Sequence, residues 1–430
     1  MNGASRALYN PYWKGFAPRL GFAFSPERFH DRLVVRGGYA ITNFLEGTGA
    51  NLRLPLNPPF FIDSQANYLG SGPAFRTEDG FPRPANASVL AGNVRAWQPS
   101  LKPALIQQFN LTTEYQLSNG TSLVVAYLGQ VGDHLVDPRE GNEKLTPTSP
   151  LPVSSLPGLS LVQVVSYTES EAVSNYNALQ ITARKRSSNG LEVLANYTYS
   201  KSLSNNLGYY GGSGVSSQSA YWQNAYDGGA DYGPAFFDAT NIFSVSGYYD
   251  LPFGRGKLFG SGINRIEDLA AGGWKLGFVS SLHSGFPVTI NSTQEYFVNQ
   301  RTTRANQYRP LKIRNRSANA WFGTDPSEVY CASNTDNGVC AYGQESSTGF
   351  GTASVGSERA PGYQSFDVAA SKSFAVTENN KVEFRADFFN VLNTVSLGNP
   401  TQSADSTQFG LINGTNSTER QIQLALKYTF

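Results

Sequence analysis

The 430-residue sequence is nearly neutral, with 33 basic and 32 acidic side chains and no basic stripe, which argues against a nucleic-acid partner. Charged residues make up only 15% and hydrophobic residues 40%, which excludes an acidic disordered chain and is unlike a typical cytosolic enzyme. No apolar run approaches the ~18 residues of a membrane-spanning helix, but transmembrane strands do not need such a run.

Alternating apolar and polar residues predict β-strands along the whole chain, in keeping with 13% aromatic residues and 43 glycines. In the last stretch, "RQIQLALKYTF", Ile422, Leu424 and Phe430 share one face, and the glutamines share the other. In chain order the predicted strands are residues 16–25, 31–41, 104–118, 121–131, 176–187, 191–202, 239–251, 274–283, 366–374, 381–392 and 420–430. A further short strand that begins at Val288 and continues the 274–283 strand gives about twelve in all.

The connections between these strands alternate strictly in length. Tight turns such as "NG" (Asn119 and Gly120) follow every other strand, with residues 252–273 as one medium-length member. The long polar connections are residues 44–103, 132–175, 203–238, 291–364 and 393–419. Compact domains rarely carry several loops beyond ~15 residues, and in a meander alternate connections lie at the same end. We therefore predict an all-β fold: an antiparallel up-and-down transmembrane β-barrel with long extracellular loops and short periplasmic turns.

Alternation by itself leaves other hypotheses open. One is a soluble surface β-protein whose apolar faces are buried in a sandwich; an outward apolar band of about 25 Å would exclude it. Another is a complete small outer-membrane barrel with an adhesin or hydrolase role. His283 and Ser284 stand together near a strand end, but adjacent side chains on a strand diverge, and no G-x-S-x-G elbow is present. We therefore predict no enzymatic activity and no cofactor.

Few residues suggest covalent or metal chemistry. Cys331 and Cys340 flank a short polar segment, which favours a local disulfide in an oxidising compartment, with a pair of free thiols as the alternative. Their spacing excludes a CxxC metal site, and three histidines argue against a zinc centre. In "YDGGADYG", Asp227 and Asp231 are weak candidates for calcium ligands. No third acidic ligand is in register, so a solvated turn is favoured and no metal is predicted.

Ligand capture is predicted on the long loops, because loops carry most binding residues. Aromatic rings there offer flat faces to sugars and apolar ligands at modest entropic cost. The candidates are Tyr209, Tyr210, Tyr221, Trp222, Tyr226 and Trp321. For any one of them, packing of one loop onto another is the favoured alternative, and nothing in the sequence names the ligand.

Several stretches of the sequence indicate a family as well as a fold. They are "APRLGFAFSP" and "RLVVRGGYAI" near the start, "YGPAFFDATNIFSVSGYYDLPFGRGKLFG" in the middle, and "FDVAASKSFAVTENNKVEFRADFFNVLNTVSLGNP" towards the end. In this order they resemble strands of TonB-dependent outer-membrane receptors of the Oar-like, carboxypeptidase-regulatory-like domain-containing group. The final strand looks like the terminal signal that the barrel assembly machinery reads, with Tyr428 and Phe430 as its aromatic residues.

The resemblance implies a bacterial outer-membrane receptor that captures a ligand and imports it with energy supplied through TonB. Members are similar to long receptors with a signal peptide, an N-terminal sandwich, a plug and a barrel of about 22 strands. None of the first three is recognisable here, so residues 1–430 are expected to form a single partial barrel domain, the C-terminal half, from a truncated or split gene. The expected partners are outer-membrane lipid, the assembly machinery, a small-molecule or peptide ligand, and the TonB complex only through the missing plug.

Overall fold

The computed structural model describes residues 10–44, 57, 91–187, 189–206, 221–292, 303–313, 315–323, 325–331, 335–345, 349–375 and 380–430. Strands dominate this part of the chain, and one large sheet contains all of the long ones. None of the helices found among these residues is long and apolar enough to cross a membrane.

The strands and helices have the following bounds. In chain order the strands are β1 (Arg19–Phe24), β2 (Leu33–Phe44), β3 (Ala91–Trp97), β4 (Ala104–Ser118), β5 (Thr121–Glu140), β6 (Leu161–Arg186), β7 (Leu191–Ser204), β8 (Gly233–Pro234), β9 (Asn241–Asp250), β10 (Trp274–His283), β11 (Pro287–Val288), β12 (Asn291–Ser292), β13 (Thr303–Arg304), β14 (Asn306–Gln307), β15 (Tyr342–Gly343), β16 (Glu358–Arg359), β17 (Tyr363–Ala375), β18 (Lys381–Phe389) and β19 (Gln421–Thr429). The helices are α1 (Arg265–Ala271), α2 (Pro326–Val329) and short 3-10 turns at Glu27–Phe29, Pro152–Ser155 and Gly228–Asp231.

The main sheet is a continuous antiparallel meander. Its order is β1-β2-β4-β5-β6-β7-β9-β10-β17-β18-β19, with β3 and β8 attached to β6 and β7 at the side. Each of the eleven long strands predicted from alternation is present. The short strand predicted from Val288 does not continue β10. Val288 lies in β11, which pairs with β16 outside the meander. The chain leaves the sheet just before it, at Gly285, where an added Cβ would lie 1.7 Å from the Ala360 carbonyl oxygen.

The register places apolar side chains together on one face of the meander. One cross-strand row on this face consists of Leu111, Tyr127, Leu179 and Tyr199. These four are 40–55% exposed, because in the described residues no second layer covers this face. The neighbouring row on the opposite face is polar or small: Arg36, Thr112, Ala126, Gln180 and Thr198. The sandwich hypothesis is therefore wrong, since its apolar faces would pack against each other.

Tyrosine hydroxyl groups mark one boundary of this apolar outer face. The Tyr127 hydroxyl donates to Asn177 Oδ1 at 2.6 Å, and the Tyr197 hydroxyl donates to Asn241 Oδ1 at 2.7 Å. The two asparagines lie on the same face but farther from the tight turns, at the level where outward side chains become polar. An aromatic ring with a polar tip suits such a boundary, which is half apolar and half wet.

On the outer face, phenylalanine rings lie over glycines of the neighbouring strand. Phe109 is directly opposite Gly129, and Phe22 is directly opposite Gly37. A Cβ on Gly129 would lie 2.2 Å from the Phe109 ring, and one on Gly37 would lie 2.3 Å from the Phe22 ring. Because glycine has no side chain, each ring can pack directly on the backbone of the neighbouring strand.

The two ends of the meander differ. Residues 25–32, 119–120, 187–190, 251–273 and 376–380 connect strands at one end, the turn end. Residues 45–103, 141–160, 205–240, 284–362 and 390–420 connect them at the other, the loop end. The predicted segregation of long and short connections is therefore present. In the medium-length connection, Asn264 and Glu267 form a capping box that starts α1.

At the loop end, β5 and β6 extend beyond their neighbours as a two-stranded ribbon, so much of the predicted 132–175 loop is strand. The register shifts between Gly132 and Asp137, and His134 adopts a positive φ of 57°. These irregularities are β-bulges that break the period-two pattern, which explains why alternation ends the predicted strand at Val131. Strand β3 pairs in parallel with β6 and adds a third strand to the ribbon.

Candidate ligand-binding site at the loop end

The long connections at the loop end pack on one another and on the ribbon, and we call this assembly the loop layer (the described parts of residues 132–175, 205–240, 284–362 and 390–420). It has a hydrophobic core of its own. Ile290, Phe322 and Tyr342 are at most 1% exposed. Phe409, from the last long connection, packs on Phe322 with 4.9 Å between ring centroids. Burial of this apolar surface fixes the connections relative to each other, so the loop layer is a preformed surface.

Buried ion pairs brace the loop layer. Arg304 in β13 forms an ion pair with Asp231 in the β7–β9 connection, and both side chains are almost fully buried. Gln223 lies between them: its backbone N–H donates to Asp231 Oδ2 at 2.9 Å, and its Oε1 accepts from the Arg304 backbone N–H at 2.6 Å. A second pair joins the same connections, with 2.7 Å between Arg359 Nη2 and Asp238 Oδ2.

A disulfide closes one segment of the loop layer. Cys331 and Cys340 are bonded, with 5.4 Å between their Cα atoms, and both are buried. The Cys331 backbone N–H donates to the Tyr342 carbonyl at 2.8 Å, which ties the bridge to the hydrophobic core. A bond of this kind persists in the oxidising surroundings of a cell surface.

Two of the buried carboxyl groups of the ribbon lie side by side, beyond the apolar outer face. Asp137 and Glu169 are cross-strand neighbours, 1% and 3% exposed. Burial, and then the nearby Glu169 carboxylate, raise the pKa of Asp137 to about 8. Burial also raises the pKa of Glu169 to about 6, although the Arg139 guanidinium, 2.9 Å away, opposes this shift. Arg139 also donates to the Ala225 carbonyl at 3.4 Å and so links the ribbon to the β7–β9 connection.

The structure gives each described aromatic candidate a partner inside the loop layer. Trp222 is buried, and its Nε1–H donates to the Asn205 carbonyl at 2.7 Å. The Trp321 Nε1–H donates to the Arg359 carbonyl at 2.7 Å. The hydroxyls of Tyr221 and Tyr226 donate to Ser166 Oγ at 2.8 Å and to the Glu143 carbonyl at 2.7 Å. Tyr209 and Tyr210 lie outside the described residues. Of these four, Tyr226 alone is more than half exposed, and the other three pack within the loop layer.

The remaining predicted site residues are placed as follows. The Asp227 carboxylate accepts from the Gly229 backbone N–H at 3.1 Å, while Asp231 pairs with Arg304, so the two serve different structures. Within the described ranges, no three His, Cys, Asp or Glu side chains are grouped as metal ligands. At the end of β19 the rings of Tyr428 and Phe430 stack at 5.9 Å and are 55% and 92% exposed.

The neighbours His283 and Ser284 do not form a nucleophile–base pair. The His283 ring stacks on Tyr363 at 5.4 Å, and its Nδ1 lies 2.9 Å from the Ser284 carbonyl oxygen. The Ser284 hydroxyl oxygen accepts from the Asn241 backbone N–H at 3.0 Å. A base that activates a hydroxyl lies within hydrogen-bond reach of it, directly or through one water, whereas His283 Nδ1 and the Ser284 hydroxyl each have a backbone partner instead.

Two cavities on the inner face of the sheet involve residues that the sequence prediction missed. One, of about 500 Å³, spans β7 to β18 and contains the charged side chains of Glu192, Asp367, Arg385 and Asp387. The other, of about 430 Å³, lies beneath the loop layer and has an uncharged lining. Strand parity assigns several lining residues to the inner face. It cannot place the lining residues that come from a long connection.

These observations define the class of protein. A single-layered antiparallel meander with an apolar outer face, a polar inner face and all its long connections at one end is the wall of an outer-membrane β-barrel. The family model described as "Outer membrane beta barrel domain" matches residues 1–423. The chain belongs to this family and is located in the bacterial outer membrane. The loop layer is therefore extracellular, and the tight turns are periplasmic.

Several solved structures are similar to the chain. The outer membrane transporter YddB from Escherichia coli is 9% identical, with 93% of this chain and 38% of that chain covered and a TM-score of 0.47. The siderophore receptor PiuA from Acinetobacter baumannii is 11% identical, with coverages of 96% and 35% and a TM-score of 0.42. The ferric-catecholate import receptor Fiu from E. coli K12 is 11% identical, with 96% of this chain and 34% of that chain covered and a TM-score of 0.41. The chain thus spans less than two fifths of each of these proteins. A comparison with curated proteins finds no match.

Proposed function

We propose that the chain forms part of the wall and the extracellular capture surface of a TonB-dependent, energy-coupled receptor. The sequence stretches that resemble Oar-like receptors support this proposal, as does membership of the outer-membrane barrel family. The observation that carries it is the loop layer, whose own hydrophobic core and buried ion pairs hold it above the polar inner wall. A preformed surface loses little conformational entropy when it captures a ligand.

We further propose that these strands are one domain, residues 1–430, and the C-terminal portion of a larger barrel. With eleven strands in the antiparallel meander, β1 and β19 both run from the loop end to the turn end. Direct pairing of the two would be parallel, whereas bacterial single-chain barrels have an even number of antiparallel strands. An odd number of additional strands between them satisfies both edges, and unpaired edges are costly in lipid.

Two partners follow from this proposal. A plug would fill the lumen and connect the receptor to TonB, so this chain would meet the TonB complex only through the plug. The inner wall offers the plug charged side chains, including the Arg184–Glu192 pair at 3.2 Å and the Arg385–Asp387 pair at 2.9 Å, in which the arginines are exposed. The second partner is the barrel assembly machinery, which would read β19 and its terminal aromatic residues.

The test compares the source bacterium with a strain that lacks this gene and with a complemented strain. Each strain is grown with and without a protonophore, and the depletion of small molecules from the medium is measured. We expect at least one compound to be removed by the wild-type and complemented strains only, and only in the absence of the protonophore. Identical depletion by all three strains would contradict the proposal.

A further inference from the structure

The cavity beneath the loop layer, which we call the upper cavity, is built on two cross-strand rows of the inner face. The first row contains Gln130, Tyr176 and Ser202. The second contains Gly132 and Ser174, together with Ile106 and Ser204 at its ends. A Cβ on Gly132 would lie 2.5 Å from the Ser174 hydroxyl oxygen, so the glycine keeps the floor of the cavity open. The rigid sheet thus fixes the positions of the lining groups.

The polar groups of the upper cavity are uncharged and partly unengaged. Among the described residues, no hydrogen bond involves the side-chain hydroxyls of Ser174, Tyr176 or Ser202. Gln130, which lines the cavity, accepts from the Gln108 side-chain amide at 3.1 Å through its oxygen, and its own NH₂ group has no hydrogen-bond partner among the described residues. Hydroxyls both donate and accept, so the wall offers a ligand both kinds of hydrogen bond.

Aromatic rings from the β7–β9 connection form another wall. Phe236 and Phe237 both line the cavity, and their rings meet edge to face with 5.0 Å between centroids. Phe237 is 58% exposed, although burial of such a ring is favourable. A ligand with an apolar C–H face and a hydroxylated edge would cover this ring and reach the polar rows at the same time.

The lining also disfavours the other main class of ligand. It contains no Lys, Arg, Asp or Glu, whereas an anionic ligand held away from bulk water needs a cationic partner. The nearby Arg359 is already paired with Asp238, which follows Phe237 in the sequence. We propose that the upper cavity binds a neutral, polyhydroxylated ligand, a short oligosaccharide, with its sugar rings on Phe237 and its hydroxyls on Gln130, Ser174, Tyr176 and Ser202. This proposal rests on the receptor function proposed above and names its substrate class.

The test is calorimetric titration of the receptor, extracted from outer membranes in detergent, with maltotriose, cellotriose, xylotriose and the anionic trigalacturonate. We expect at least one neutral trisaccharide to bind with a Kd of about 1 mM or tighter, and trigalacturonate to bind more weakly. Phe237→Ala and Gln130→Leu should each lower the affinity for the neutral ligand about tenfold. The first removes the stacking contact with a sugar ring, and the second removes a hydrogen bond to a hydroxyl. Tyr232→Ala removes an exposed ring of the same connection outside the cavity and should leave binding unchanged.

Three outcomes would overturn the proposal. They are no saturable binding of any neutral trisaccharide, trigalacturonate binding as tightly as the neutral ligands, or undiminished binding by both cavity variants. Unchanged heat-modifiable migration of each variant verifies that it is folded. If protonophore-sensitive depletion of the medium persists while neutral trisaccharides fail to bind, the receptor function stands and this ligand class falls.

Discussion

At the scale of the residue, the buried Asp231–Arg304 pair joins two of the long connections in the loop layer. Asp231→Asn would leave the Arg304 guanidinium buried without a countercharge, and removing one partner of a buried pair costs about 3–5 kcal/mol. We expect the loop layer to loosen while the strands of the meander stay paired. Hydrogen exchange of the complete receptor in detergent should be faster at the backbone N–H groups of Gln223 and Arg304, which take part in this network.

Asp336→Asn is the matched control, because it breaks an Arg–Asp ion pair that lies at the surface of the same loop layer. Asp336 lies 2.6 Å from Arg309, and its side chain is 42% exposed. Exposed pairs are screened by water and stabilise little. This variant should leave exchange at Gln223 unchanged. Equal exchange in both variants and in the wild-type protein would show that the buried pair does not brace the layer.

The buried carboxyl groups of the ribbon predict a pH dependence at the same scale. The pKa of Asp137 rises from 3.8 to about 8 on folding, so between these values the folded ribbon binds more protons than the unfolded chain. Its stability therefore falls as the pH rises through this window, and Glu169 adds the same sign from 4.5 to about 6. Protection of the Glu171 and Ala172 amides, corrected for intrinsic exchange rates, should be lower near pH 8 than near pH 5.

Asp137→Asn tests the origin of this dependence. The asparagine amide stays neutral at every pH, so in this variant most of the decrease in amide protection between pH 5 and pH 8 should disappear. Glu171→Gln removes an exposed carboxylate of the same ribbon that contributes least to the raised pKa of Asp137, so this variant should keep most of the pH dependence. Protection that rises with pH in the wild-type protein would show that the buried acids are not neutral when folded.

At the scale of the element, the packing of the Phe109 ring on Gly129 predicts that substitutions in β4 and β5 are energetically coupled. Gly129→Ala would place a methyl group 2.2 Å from the ring, and overpacking of this kind costs about 1–3 kcal/mol. We expect a lower urea midpoint for unfolding of the complete receptor in detergent. In a Phe109→Ala background the same change should cost much less, which a double-mutant cycle measures. Gly277→Ala is the control, because its Cβ would make only ordinary contacts, the nearest at 3.7 Å. Additive effects would contradict the coupling.

The elements also show what a single sequence can predict. A period of two is a local property, so the eleven long strands and their faces follow from it directly. It fails at the bulges around His134, where the extra residue shifts the parity and hides the ribbon. The loop layer is held by contacts between distant residues, such as the hydrogen bond from Gln223 to Gly351, and no local pattern encodes those. Composition could therefore place Trp222 on a loop but could not show that it is buried.

At the scale of the whole molecule, the two edges of the meander decide whether the chain closes on itself. Every residue of β1 and β19 is exposed, and each strand has one partner among the described residues. Because the two strands run in the same direction, we expect other strands to lie between them in the outer membrane. Leu20→Cys combined with Leu424→Cys or Leu426→Cys should then form no disulfide when the membranes are oxidised, since the Cα atoms would lie well beyond ~7 Å.

The matched control is Ala370→Cys with Ala386→Cys, which are direct register partners on β17 and β18 and should cross-link under the same conditions. The native Cys331–Cys340 bond is buried and does not compete. Expressed alone, the chain should migrate identically with and without heating, because an open wall leaves backbone groups unpaired in lipid and does not resist detergent. A heat-modifiable chain that cross-links β1 to β19 would show that these strands close a barrel by themselves, and the larger receptor would then be unnecessary.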